Sequence, residues 1–295
     1  MELRVLRYFL TVARAESVSD AAELLNITQP TLSRQLMNLE TELGIQLFHR
    51  GRRNHKVELT EAGTFLRKHA EEIILLADKT EAAFSLSGDT ATGDIYICAG
   101  ETDAVRFLAR AAKKLQERCP KIHYHISSGD SSDVEERLDK GLADFGVLLG
   151  TVDRNRYEAQ VLPFRDKWGV LMRRDDPLAE RESIHPQDLY GKPLIVSRQT
   201  VSNLQILRWF NQPQEALNIV ATYSLAYNAM LMADEGFGYV LTLDKLHRLS
   251  GNSLCFRPLE NSPELPVYLV WKKYQAFSRA SNLFLAQLRR EIAEP

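Results

Sequence analysis

No apolar run in the chain exceeds five residues, as at Ile73–Ala77 and Val267–Trp271, whereas a membrane span needs roughly 20. The first residues also carry no basic-then-apolar leader, so the cytoplasm is the expected location. Cysteine is scarce: Cys98, Cys119 and Cys255 are odd in number and form no CxxC pair. That excludes a disulfide framework and a zinc ribbon and leaves three reduced thiols. Charge of one sign is not in excess either, with 37 Lys and Arg against 39 Asp and Glu for a net −2, so a nucleic-acid partner would have to be met by a local site. Signatures of catalysis are absent: there is no GxSxG elbow, P-loop, HExxH or GxGxxG, and Gly236-Phe237-Gly238 reads as tight packing after a helix. No catalytic residue, metal or cofactor is therefore expected. His123 and His125 alternate onto one face of a strand near Cys119, but two ligands with a doubtful third make a solvent-facing pair rather than a metal site.

What is present is an ordinary globular composition, 44% hydrophobic and 26% charged over 295 residues, long enough for two domains. The first 60 residues read as short helices. Leu3, Leu6, Phe9, Leu10 and Ala13 recur at helical spacing and stop at Glu16. Ser17 followed by Asp20 opens a second helix like a capping box. Thr28 then caps a third, with Gln29 and Pro30 in its first turn and an apolar stripe through Leu32, Leu36, Leu39 and Leu43. Thr31, Arg34 and Asn38 fall on its other faces. Two helices joined by a tight turn, the second opening with small and amide side chains, suit a helix-turn-helix that places base-reading groups in a major groove. A helical bundle corner would show the same pattern. Leu47 to Leu59 reads as strand, turn and strand, a wing whose tip, His49 to Lys56, carries Arg50, Arg52, Arg53 and Lys56 and no acid, as phosphate or minor-groove contact requires. From Thr60 a long helix places Leu66, Ala70, Ile73, Ala77, Thr80 and Phe84 at alternating spacings of 4 and 3, a heptad seam able to join two chains. Gly88 to Gly93 reads as a hinge.

The stretches Ser17-Val-Ser-Asp-Ala-Ala-Glu-Leu-Leu, Thr28-Gln-Pro-Thr-Leu-Ser-Arg-Gln-Leu, Leu39-Glu-Thr-Glu-Leu-Gly-Ile-Gln-Leu-Phe-His-Arg and Leu59-Thr-Glu-Ala-Gly, in this order, resemble the N-terminal signature of LysR-type transcriptional regulators. The resemblance implies a winged helix-turn-helix (1–59), a dimerising linker helix (60–88) and an effector-binding domain (93–295). That domain is α/β, two Rossmann-like lobes like those of periplasmic binding proteins, with lobe I at 93–161 and 267–295 and lobe II at 162–266. Thr28, Gln29, Pro30, Thr31, Ser33 and Arg34, with Arg50 and Arg53 of the wing, are the expected DNA contacts. Leu66, Ile73, Ala77 and Phe84 are the expected dimer contacts, and the family implies a homodimer or homotetramer that works on operator DNA and can meet RNA polymerase.

Alternating strands and helices after residue 94, beginning Ile95–Cys98, Val105–Arg118 and Ile122–Ile126, predict parallel sheets. Ligands of such sheets bind beyond strand carboxyl ends, near helix N-termini. The residues at those turns are Glu101, Thr102, Ser128, Gly129, Ser197, Arg198 and Ser202, each of which would otherwise serve as a plain cap or turn. Arg198 with Ser202 suits a carboxylate clamp, while Glu101 disfavours a second anion and welcomes an amine or hydroxyl. A small carboxylate bearing a polar or cationic group is the expected effector, against the alternative that Arg198 and Glu101 pair with each other or with solvent. A solute-binding protein shares the two lobes but has no helix-turn-helix, and a two-domain enzyme would need a catalytic constellation.

Overall fold

The computed structural model describes residues 1–49, 57–84, 91–199, 204–246 and 253–293. The chain divides into two compact units, Met1–Ser85 and Leu86–Pro295.

The first unit holds α1 (Leu3–Ala15), α2 (Val18–Leu24), α3 (Gln29–Leu43) and α4 (Glu61–Phe84). Val5, Leu6, Phe9, Val12 and Ala13 recur on one side of α1 and are all buried, which is what drives that segment helical against its neighbours. The helix stops at Glu16, whose backbone turns left-handed at φ 51° and donates its N–H to the carbonyl of Val12. Ser17 then caps α2, its hydroxyl oxygen accepting from the Asp20 amide at 3.3 Å. At α3 the expected cap differs. The Thr28 hydroxyl lies 2.8 Å from that of Thr31 and bonds no amide, because Pro30 removes one of the first-turn donors and Thr31 offers a hydroxyl instead. Leu32, Leu36 and Leu39 are buried as the stripe requires, whereas Leu43, its last member, lies at the exposed end of the helix.

Beyond α3 the buried carboxylate of Glu40 accepts from the amides of Leu47 at 2.7 Å and Phe48 at 3.3 Å. Phe48 pairs antiparallel with Leu59, and the His49 amide donates to the Glu58 carbonyl at 3.0 Å, so the base of the wing is formed. Its tip at 50–56, including Arg50 and Arg53, lies outside the described residues. Thr60 starts α4 by accepting from the Gly63 amide at 2.9 Å. Gly63 runs so close to the Leu47 carbonyl that a Cβ there would sit 2.1 Å from its oxygen, so only glycine lets α4 cross the strand.

The seam expected on α4 is corrected in part. Ala70 is fully buried and Leu66 partly buried in the unit's own core with Leu6, Phe9 and Ile74. Ile73 is exposed, together with Phe65 and Leu76, which the expected seam omits. At 3.6 residues per turn a straight helix drifts from a 3.5-residue stripe, and α4 has α1 to cover on one side. The side chain of Phe84 is outside the described residues.

The second unit has two five-stranded sheets. In lobe I the order is β2 (Ile122–Ser128), β1 (Gly93–Ala99), β3 (Phe145–Leu149), β10 (Leu265–Lys272), β4 (Tyr157–Asp166). In lobe II it is β7 (Ile219–Tyr223), β6 (Leu194–Ser197), β8 (Tyr239–Leu243), β5 (Trp168–Arg173), β9 (Leu254–Pro258). Helices α5 (Val105–Arg118), α6 (Ser131–Asp139), α7 (Leu204–Trp209), α8 (Ala226–Asp234) and α9 (Arg279–Ala293) join or flank the strands. The expected parallel sheets are in fact mixed: β10 runs antiparallel to both β3 and β4, and β5 antiparallel to both β8 and β9, since the chain changes sheets at these strands. The change also falls later than Leu162, because β4 stays paired with β10 as far as Asp166 opposite Leu265. Residues 166–168 therefore join the lobes. The lobe I core sets Phe107, Leu108 and Leu115 of α5 and Phe284 of α9 against Ile95, Val147 and Leu269; the lobe II core gathers Val170, Val196, Leu241, Ile206 and Phe210.

Candidate functional site

Two surfaces stand out, one in each unit. On α3, Thr28, Gln29, Pro30, Thr31 and Arg34 are exposed and Ser33 half-buried, as a helix anchored by Leu32, Leu36 and Leu39 dictates. The Gln29 Nε2 donates to the Ser33 hydroxyl at 3.1 Å, and the Thr28 and Thr31 hydroxyls meet, so these polar groups are held in place from within the helix. Met37 and Asn38 continue the exposed face. Met37, 53% exposed, is a residue that periodicity would sooner assign to packing, and its neighbour Asn38 marks where the apolar stripe has turned away.

The other surface is the cleft between the lobes of the second unit. A cavity of about 600 Å³, counting its open mouth, lies there. Gly100, Glu101 and Gly129 line it from lobe I; Trp168, Ser197 and Tyr223 are among those lining it from lobe II. Glu101 crosses the cleft: its Oε2 accepts the amide of Ala226, the first residue of α8, so a carboxylate already complements that positive helix end. Ser197 accepts from the Gln199 amide at 3.2 Å. Ser128 is exposed and borders an adjoining groove with Thr102. The Thr102 hydroxyl is turned inward, donating to Asp166 at 2.6 Å and accepting from the Ala104 amide at 3.1 Å.

Arg198 is where the expectation needs correcting. Its Nη2 is 2.7 Å from Asp130 and 3.9 Å from Asp133, so its partner is on the opposite lobe and is not Glu101; the side chain is otherwise more than half exposed to solvent, and it is not among the described residues lining the cavity. Asp130 competes for it through a capping box at the start of α6, accepting from the amides of Ser132 and Asp133. Burial alone would raise this carboxyl, but the hydrogen bonds from Ser132 and Asp133 and the charge of Arg198 outweigh it and hold it below its ordinary value. Ser202 is outside the described residues.

Several residues in or beside the cleft escaped sequence reasoning. Asp130-Ser-Ser-Asp133 had a signal, the spacing of a capping box before an apolar run. Trp168 had none, since a tryptophan in a strand reads as core. It is indeed 6% exposed, yet it lines the cavity and its indole Nε1 is buried without a hydrogen-bond partner among the described residues. Asp166, two residues earlier, is fully buried with Oδ1 likewise unpartnered, and burial raises its pKa against the hydrogen bond from Thr102. His123 and His125 face solvent as expected, and His125 also bonds Asp94 at 2.7 Å and stacks on Tyr96.

Residues 3–64 match the model of the bacterial regulatory helix-turn-helix protein, lysR family, and residues 88–293 match that of the LysR substrate binding domain. Over 99% of both chains the sequence is 27% identical to an uncharacterized HTH-type transcriptional regulator, YvbU, of Bacillus subtilis. It is 28% identical to the Hca operon transcriptional activator HcaR of Escherichia coli, again over 99% of both chains. The fold matches that of full-length CbnR crystallised with its target DNA, with a TM-score of 0.74 at 19% identity over 99% of this chain and 100% of the other.

Proposed function

The chain belongs to the LysR family of transcriptional regulators, and from this we propose how it works: α3 reads an operator, and a small effector in the cleft controls that reading. It is a DNA-binding regulator and not an enzyme, as its relatives are. The observation that carries the reading is the exposed start of α3, where Gln29, Thr31, Ser33 and Arg34 project from a helix locked onto its unit by buried leucines. Gln29 and Arg34 suit adenine and guanine edges, Met37 suits a thymine methyl, and Thr28 and Pro30 shape the approach. Arg50 and Arg53 supply phosphate or minor-groove contacts. CbnR, of like fold, has been crystallised on its target DNA, which supports the same use of this unit.

In this reading residues 1–59 bind DNA, 60–88 dimerise and 93–295 receive the effector at Glu101, Gly129, Ser197 and their neighbours Thr102 and Ser128. Ile73 and Ala77 of α4, with the exposed Phe65 and Leu76 and with Phe84, form the joining face. A dimer, or a tetramer built from it, then spans two half-sites, in the cytoplasm where operator and RNA polymerase are found. Selection of full-length protein against random duplexes is the test: recovery of a sequence with two related half-sites supports the reading, and no enrichment over the starting pool contradicts it.

A further inference from the structure

A ligand's carboxylate would find the cleft poorly furnished. The amide at the head of α8, a nine-residue helix, is already taken by Glu101. Arg198 is held by Asp130 outside the cavity. Among the described lining residues Glu101 is the only acidic or basic side chain apart from the phenol of Tyr223, and that phenol is engaged, donating to the Leu241 carbonyl at 2.8 Å. Burial, and behind it the charge of Glu101, pushes the Tyr223 pKa up, against a hydrogen bond with Thr242. Among the described lining residues a second anion in this space would face like charge with no counter-ion. The lining also offers apolar contact at Leu149, Leu243, Leu265 and Trp168, beside neutral polar groups at Ser197, Gln199 and Ser224.

We propose that the cavity takes a small molecule with an apolar body and an ammonium or hydroxyl head set against Glu101, and not a carboxylate. This rests on the reading of the cavity as the effector site. It reverses the carboxylate expected from the sequence, because the arginine that was to clamp it belongs to Asp130.

Three near-isosteric probes share a phenol ring as the apolar body and differ at the head: tyramine, tyrosol and 4-hydroxyphenylacetate. They are titrated calorimetrically into the full chain, into Glu101→Gln, and into Ser224→Trp, which fills the cavity from an exposed lining position; thermal melts confirm that both variants fold. Tyramine should bind wild type at least about tenfold more tightly than the acid, with tyrosol between them, and Glu101→Gln should close that gap. The acid binding as tightly as the amine, or a gap that survives Glu101→Gln, overturns the head-group assignment, with the cavity reading intact if Ser224→Trp abolishes binding. Binding untouched by Ser224→Trp shows that the cavity itself is not the site. No binding by any of the three at millimolar concentration overturns the proposal.

Discussion

Gln29 is held by Ser33 at the exposed head of α3, so its amide is oriented before DNA arrives. Gln29→Ala should cost about 1–3 kcal/mol on the selected operator and little on random duplex; equal losses on both would make it a phosphate contact. Asp130 tests the cleft at the same scale. Its carboxyl is held below the ordinary 3.8, so the stabilisation it brings is complete above that pH and is lost as pH falls through the folded value. Urea midpoints of wild type and Asp130→Ala should therefore differ at neutral pH and converge in acid; a gap that widens on acidification would reverse the sign. Single residues were the least legible feature. Thr28 and Arg198 were correctly placed at a helix head and a strand end, but the partners that claimed them, Thr31 and Asp130, come from local competition and from the opposite lobe.

The elements of the first unit were legible because each carries its own period and punctuation, down to Ser17 at the head of α2 and Gly44, left-handed at φ 69°, after α3. The base of the wing formed as expected, Phe48 pairing with Leu59, and in the proposed reading its arginines contribute mainly charge. Arg53→Ala should weaken binding to all sequences and flatten the slope of log K against log salt by about 1; an unchanged slope removes the wing from the contact set. On α4 the heptad was read as one seam, whereas the structure splits it between the unit's own core and an exposed face. Two substitutions separate these. Ile73→Asp should give monomers in sedimentation with the melting temperature of the unit nearly kept, while Ala70→Asp, placing a charge in a sealed core, should cost about 3 kcal/mol or more. Loss of stability from Ile73→Asp with dimers intact would return that face to self-packing. Strands β4 and β9 went unread: β4 is an edge strand that tolerates Pro163, and β9 has only five residues.

At the scale of the molecule, two α/β lobes after a helix-turn-helix followed from the order of elements, but the mixed sheets did not. Antiparallel β10 and β5 arise where the chain passes between lobes, and pairing across nearly 100 residues, as between Asp166 and Leu265 at opposite ends of the lobe II excursion, is written in no local pattern. The connection at 166–168, which places Trp168 in the cavity wall, is a product of that crossing. The central claim is that this molecule discriminates DNA sequence, and the direct measurement is the affinity of the full-length protein for its selected operator against a scrambled duplex at about 0.15 M salt. The expected ratio is about a thousandfold or more; equal affinity for the two duplexes would contradict it.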